Sequence, residues 1–275
     1  MSVPIIAEPI FHIGAFPVTN AYVNSTLLTL AIAACSLWFR TAIRKVPGAA
    51  QNLMEIVLET MLRYFDQVTR SRESSKRFLP LVGSLFFFIL LSNWMGLLPG
   101  TGSIGVWQMV HGELELVPVL RPAASDLNLT LAMALLSIFT SHVFGMIAVG
   151  FFVHWNRFIQ LGSLWNGLKT LNPVKILVAA IEFIVGLLEI ISELAKVLSL
   201  SLRLFGNIFA GEVLITVIAG LASFIVPLPF MLLEVLVGII QASVFSMLTL
   251  VYLTVLTEKP HGSHDAHPSP ALSHA

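Results

Sequence analysis

Arg203, Asn207 and Glu212 stand inside SLRLFGNIFAGEVL, residues 201–214, one of the most apolar parts of the chain. A charged guanidinium at the middle of a bilayer costs between about 3 and 17 kcal/mol. An arginine kept there must face water, polar groups or an anion, so the chemistry on offer is that of a fixed cation waiting for a counter-ion. At 100° per residue, Glu182, Glu189, Lys196, Arg203 and Ala210 recur every seven positions, and Ser192, Ser199 and Asn207 fall within about 40° of Arg203. One narrow face therefore carries the polar groups, flanked by Leu, Ile, Val and Phe.

No acid of this helix can neutralise Arg203. Glu212 lies about 180° round and ~13 Å along the axis, Glu193 is ~15 Å away and Glu189 ~21 Å. The counter-ion must come from elsewhere. On the last apolar segment Glu234 and Gln241 are seven apart and share a face. Antiparallel packing of the two segments would bring Gln241 level with Arg203 and Glu234 nearer Glu212. Gly206 and Ala210, four apart like Asn207 and Gly211, would let another helix approach closely; packing of the chain's own helices explains them equally.

The elements that position these residues follow from composition. The chain has 275 residues, 56% hydrophobic and 11% charged, against roughly 25% charged in soluble domains. Apolar runs at about 20–39, 79–98, 127–153, 174–222 and 225–256 each reach the ~20 residues that an α-helix needs to cross the hydrocarbon, and they are too long for barrel strands. The expected fold is an all-α membrane protein, with residues 1–256 a single integral domain of five passes. A straight helix over 174–222 would be about 70 Å long, more than twice the hydrocarbon thickness, so the last two helices are expected to be long and strongly tilted, bent, or both.

Charge placement gives the topology. Segment 40–77 holds eight of the fifteen basic residues, whereas 100–126 holds only Arg121 beside Glu113, Glu115 and Asp126. By the positive-inside rule the first faces the cytoplasm and the second faces out. Arg157, Lys169 and Lys175 mark the next cytoplasmic loop, which leaves the N-terminus outside and the C-terminus in the cytoplasm. The stretch NLMEIVLETMLRYFDQV reads as an amphipathic helix, either interfacial or solvated. No basic residue precedes Arg40, so no cleaved leader is expected. The tail 257–275 is rich in His, Pro and Ser; His261, His264 and His267 could hold a metal, but composition favours disorder. Cys35, the single cysteine, is expected to be a packed core thiol and excludes an internal disulfide and a cysteine metal site. A formal net charge of zero gives no argument for nucleic-acid binding.

SLSLRLFGNIFAGEVL at 199–214 resembles the signature of subunit a of the rotary F-type ATP synthases. Five further stretches follow that family in order: FHIGAFPVTN near the start, SNWMGLLPG at 92–100, SDLNLTLAMAL at 125–135, NPVK at 172–175 and QASVFSMLTLVYL at 241–253. The resemblance implies a non-catalytic, proton-translocating stator subunit of a bacterial inner membrane. It implies no cofactor and no metal. Its partners would be a rotor ring of small hairpin subunits, each with a membrane carboxylate, the peripheral stalk subunits and the lipid bilayer.

Carried over by position, Arg203 matches the essential arginine and Gln241 its neighbour. Asn207, Glu212 and Glu234, with Asp126 in addition, match a half-channel open to the outside. Glu189, Glu193 and Ser199 match a half-channel open to the cytoplasm. Structural roles stay open beside these: Glu212 and Glu234 as a buried hydrogen-bonded pair, Glu189 and Glu193 as interfacial residues, Asp126 as a helix cap. The rival reading is a secondary transporter using Arg203 as an intramembrane anion site, but such proteins show internal repeats and none is found here. A mere scaffold would leave seven ionisable residues between Lys175 and Glu212 unexplained.

Overall fold

The computed structural model describes residues 9–14, 16–98, 105–110, 113–118, 121–156, 173–221 and 225–258. Most of them are helical. Short antiparallel hairpins β1 (Pro9–Ile13) with β2 (Phe16–Thr19) and β3 (Gly105–Val110) with β4 (Glu113–Pro118) precede α1 and α4 respectively. Sequence reading assigned no strands to either region. The helices are α1 (Asn20–Ala42), α2 (Ala49–Thr69), α3 (Arg72–Met95), α4 (Leu127–Val149), α5 (Phe151–Trp155), α6 (Pro173–Leu221) and α7 (Pro227–Thr257). Five of them, α1, α3, α4, α6 and α7, are long and apolar enough to cross a membrane. The chain is an all-α, multi-pass membrane protein. The loop carrying Arg157 and Lys169, and the tail with its three spaced histidines, lie outside the described residues.

Caps define where the helices start. Thr19 accepts from the Tyr22 N–H at α1, Ser71 from that of Ser74 at α3, and Asp126 from that of Asn128 at α4, each satisfying a donor that has no partner inside its helix. Pro227 opens α7, where its missing N–H costs nothing. Gly150, at φ +101°, ends α4 and turns the chain sharply into the five-residue α5. Within the spans many hydroxyls bond back to their own helix. Ser137 donates to Met133 O at 2.9 Å, Ser246 to Ala242 O at 2.6 Å and Thr249 to Phe245 O at 2.9 Å, so these three are not left bare where lipid excludes water.

α3, α4, α6 and α7 form the bundle. Its centre joins Leu85 and Ile89, Met133 and Ile138, Leu200, Leu204 and Ile208, and Ala242 and Phe245. A second cluster, Phe65, Phe78, Val82, Leu250 and Leu253, docks α2 on α3 and α7. Lipid is as apolar as these side chains, so close packing rather than hydrophobic transfer holds the bundle. α2 buries Leu62 and Phe65 while exposing Leu53 and Ile56, in keeping with an interfacial helix. Arg72 joins it to α3, meeting Asp66 at 2.7 Å and Glu59 at 2.8 Å. The Ser75 hydroxyl first, and Arg72 after it, hold the Asp66 carboxyl below the ordinary carboxylate range.

Cys35 corrects the expectation of a core thiol: it is exposed. α1 is buried only near its start, at Asn20, Ala21, Asn24, Ser25 and Leu28, and beyond that it stands away from the bundle. α6 runs 49 residues without interruption, about 74 Å at 1.5 Å per residue.

Candidate functional site

The antiparallel contact of α6 and α7 sets the register of everything polar on them. The Glu234 carboxyl lies against Gly211, in the space that a Cβ there would take. A side chain at 211 would require that carboxyl to move. Counting seven residues back along α6 and seven forward along α7 puts Gln241 level with Leu204, one residue from Arg203. The geometry thus agrees with the expected pairing of levels.

Arg203 is exposed on α6, on the same open face as Ser192, Ala195, Ser199, Gly206, Asn207 and Ala210. Its Nη2 lies 3.5 Å from Ser199 Oγ. Among the described residues no carboxylate forms an ion pair with it. The opposite side of the helix, Val197, Leu200, Leu204 and Ile208, is packed in the core. Arg203 therefore points away from its own bundle, on a face of small and polar residues.

Towards the C-terminal half of α6 a cavity of about 230 Å³ opens, lined among others by Asn93, Gly96, Arg121, Glu212, Thr216 and Glu234. Glu212 is held there by Arg121: Nε lies 2.9 and 3.2 Å from the two carboxylate oxygens, and Nη2 donates to Oε2 at 3.2 Å. The two acids, Glu212 and Glu234, are not a hydrogen-bonded pair. Arg121 is 4% exposed, and its own strand of chain is fixed from two sides. Asn24 Nδ2 donates to its carbonyl at 2.5 Å, and the Pro122 ring covers the space above Gly96, where any side chain would collide with it. Across the cavity, Glu234 Oε1 and Asn93 Oδ1 are buried without a hydrogen-bond partner. Asn93 Nδ2 and Trp94 Nε1 donate to the carbonyls of Gly238 and Val235, at 3.4 and 3.3 Å, and hold α3 to α7 at this level. Unpaired buried oxygens facing a polar cavity suit water, which satisfies such groups with two to four bonds.

Towards the N-terminal half of α6 the acid is engaged instead. Glu193 Oε1 lies 2.6 Å from Lys196 Nζ, and Oε2 lies 3.5 Å from His142 Nε2. His142 Nδ1 in turn lies 3.1 Å from His154 Nε2. Lys196 Nζ also sits 5.3 Å over the Tyr252 ring. Glu189 is half-buried on α6, one turn before Glu193.

Of the nine residues singled out from sequence, Glu212 and Glu234 share the cavity, Arg203 and Ser199 adjoin, and Gln241 stands level with Arg203. Asn207 lies on the open face rather than in the cavity lining, and Asp126 is the α4 cap. Sequence reasoning missed Arg121, Asn93, His142 and His154. Two of these carried a signal: a histidine within an apolar span is rare enough to mark a site, and Arg121 is the one base in an otherwise acidic stretch.

Comparison with known proteins gives one answer. A family profile described as ATP synthase A chain matches residues 23–254. "ATP synthase subunit a" of Moorella thermoacetica is 31% identical over 244 residues, 89% of this chain and 93% of the relative. The protein of the same description from Citrifermentans bemidjiense is 33% identical over 247 residues, 88% and 89% of the two chains. That of Geobacter sulfurreducens is 31% identical over 242 residues, again 88% and 89%.

Proposed function

The chain belongs to the ATP synthase A chain family, and from that premise we propose that it is the non-catalytic stator half of a proton path, with Arg203 at the point where two half-channels meet a rotating ring. Membership makes it a component of the membrane sector, associated with other subunits of the synthase. The observation that carries the finer reading is Arg203 itself. Among the described residues it is a cation without an ion-pair partner, on an open face of small residues, between a polar cavity on one half of α6 and an acid–histidine cluster on the other.

The mechanism follows from the cost of charge in lipid. A rotor carboxylate facing hydrocarbon must be neutral, and it ionises only where water or a cation stabilises the anion. Arg203 supplies that cation. Its guanidinium does not release a proton at accessible pH, so it also separates the two aqueous paths and forces protons to travel on the ring. Gln241, level with it on α7, is suited to hydrogen-bond the arriving carboxyl, and the open stripe from Ser192 to Ala210 lets the rotor helices approach closely. Glu234 and Glu212, facing the cavity, form the proton path on the outer side. Glu193, with Glu189 and Ser199, serves the cytoplasmic side. Each proton moved down 100 mV contributes about 2.3 kcal/mol to rotation. In this reading the membrane is a bacterial inner membrane, with the hairpin ends of the bundle outside and the α2 side in the cytoplasm. The ring and the peripheral stalk are the neighbouring subunits.

Arg203→Ala tests it. The variant is expected to assemble yet to lose both ATP-driven pumping and proton-driven synthesis in vesicles. Arg203→Lys should fail as well, since lysine lacks the planar fork and releases its proton when desolvated. Normal coupled synthesis in assembled Arg203→Ala complexes would overturn the proposal.

A further inference from the structure

His142 and His154 come from different elements, α4 and α5, and the family match gave neither a role. The sharp turn at Gly150 folds α5 back so that the two rings meet edge to face, centroids 5.3 Å apart. His154 is 4% exposed, against Gly145 and the carbonyl of Leu256, the penultimate residue of α7. The pair therefore bridges the interior of the bundle and its end.

We propose that His142 and His154 are the proton-exchanging relay of the cytoplasmic half-channel, and that Glu193 is the fixed anion which supports the relay when it is charged. The proposal rests on the reading of the previous subsection. A contact of 3.1 Å between Nδ1 of His142 and Nε2 of His154 requires one ring to donate and the other to accept. Two imidazolium rings would put two donors face to face, so the contact holds one proton between them. The remaining nitrogen of His142 is turned to Glu193, 3.5 Å from Oε2. Imidazole takes a proton at one nitrogen and releases it from the other, and it does so in the physiological range. A proton taken up at Nε2 of His142, passed from its Nδ1 to Nε2 of His154 and released from Nδ1 of His154 leaves the charge of the pair unchanged and both rings in the other tautomer, so each passage is completed when the rings reorient or exchange protons with water and regain their starting tautomers.

Glu193 does not carry the proton itself. Its other oxygen is held at 2.6 Å by Lys196, an ion pair that keeps it a carboxylate. The charged groups around the relay are then Glu193 and Lys196 from α6, Tyr252 from α7, whose ring supports Lys196, and Arg77 from α3, which lies over Phe144 at 5.5 Å. With the Glu193–Lys196 pair neutral as a unit, the relay can gain and lose one positive charge without leaving a bare anion behind.

The test uses the assembled synthase in vesicles, with ATP-driven pumping and passive proton flux measured across about pH 5.5 to 8.5, the range spanning an imidazole titration. His142→Gln retains a hydrogen-bonding amide but does not titrate. It is expected to slow flux roughly tenfold at neutral pH and to remove the inflection that a titrating imidazole in the path would put into the wild-type profile. His154→Gln should reproduce that profile. Wild-type rates and profile in either variant would overturn the relay, and so would a uniform loss at every pH with the inflection kept, which marks a structural role. Should His142→Gln not assemble, His154→Gln, within a five-residue helix, distinguishes the same outcomes. Arg203→Ala in parallel separates the two levels: coupled transport surviving there sinks the underlying function, whereas an inactive Arg203→Ala beside a wild-type-like His142→Gln sinks only the relay.

Discussion

Glu234 and Glu193 are both half-buried acids on the two long helices, yet their surroundings are opposite. Glu234 Oε1 has no hydrogen-bond partner and faces a cavity, while its neighbour Glu212 is clamped by Arg121. Glu193 has a partner on each oxygen and lies outside that cavity. One region offers an acid free to take up a proton from water; the other offers a fixed anion with titratable rings beside it. On the proposed reading the two regions would move protons by two chemistries, one through solvent and one through side chains. It also follows that counting acids along a helix does not say which of them titrate in use.

Breaking the clamp should give the largest effect. Arg121→Leu removes a guanidinium only 4% exposed and leaves the part-buried Glu212 unpaired, and breaking such a pair costs up to about 3–5 kcal/mol. The temperature of thermal inactivation of the purified complex should fall steeply, with Arg121→Leu/Glu212→Leu recovering most of it. Lys196→Leu removes a side chain 32% exposed and leaves Glu193 its contact with His142, so it should cost only about 1 kcal/mol by the standards of partly solvated pairs. Equal losses in the two would erase the contrast between the regions.

Next comes the close contact. Gly211→Ala forces Glu234 out of its place, and proton flux should drop about tenfold, equivalent to ~1.4 kcal/mol on the barrier. A Cβ on Gly206 meets nothing within the chain, so Gly206→Ala should leave the stability of this subunit unchanged and reduce coupling only through the rotor face. A Gly211→Ala complex with full flux would show that Glu234 need not sit there.

Sidedness sharpens the comparison further. With Cys35 replaced by Ser, single cysteines at 212 and 234 should react with an impermeant thiol reagent from outside, and those at 189 and 193 from the cytoplasm. Reaction of all four from one face would mean a continuous pore. The smallest effect belongs to Asp66. Its depressed folded value means that the stability it adds is present above the ordinary carboxylate range and is lost as pH falls through that lower value. Acid titration of α2 docking should show a small low-pH loss that Asp66→Asn abolishes.

The spans were legible because length and apolarity alone require them, and Arg203 because a guanidinium there needs a reason. The level of Gln241 followed from antiparallel counting. Arg121 could not be paired with Glu212 by any local rule, since 91 residues separate them, with α4, α5 and most of α6 in between. The hairpins were too short to read, and His142 meets His154 only because Gly150 reverses the chain. Cys35 was misjudged for a related reason: burial statistics describe a thiol in a core, and most of α1 has none around it.

The unbroken length of α6 has an electrical meaning. A water-filled recess stays close to the potential of the bulk phase it opens to, so voltage does not fall evenly across the bilayer. On the proposed reading it would fall over the insulating plug that remains, at the level where Leu200, Leu204 and Ile208 are packed in the core, about 12 Å of helix instead of ~30 Å of hydrocarbon. The local gradient is then roughly two and a half times that of the surrounding membrane. Arg203 stands at that level on the outward face of α6, where a charge displaced by a few ångströms would do the most electrical work.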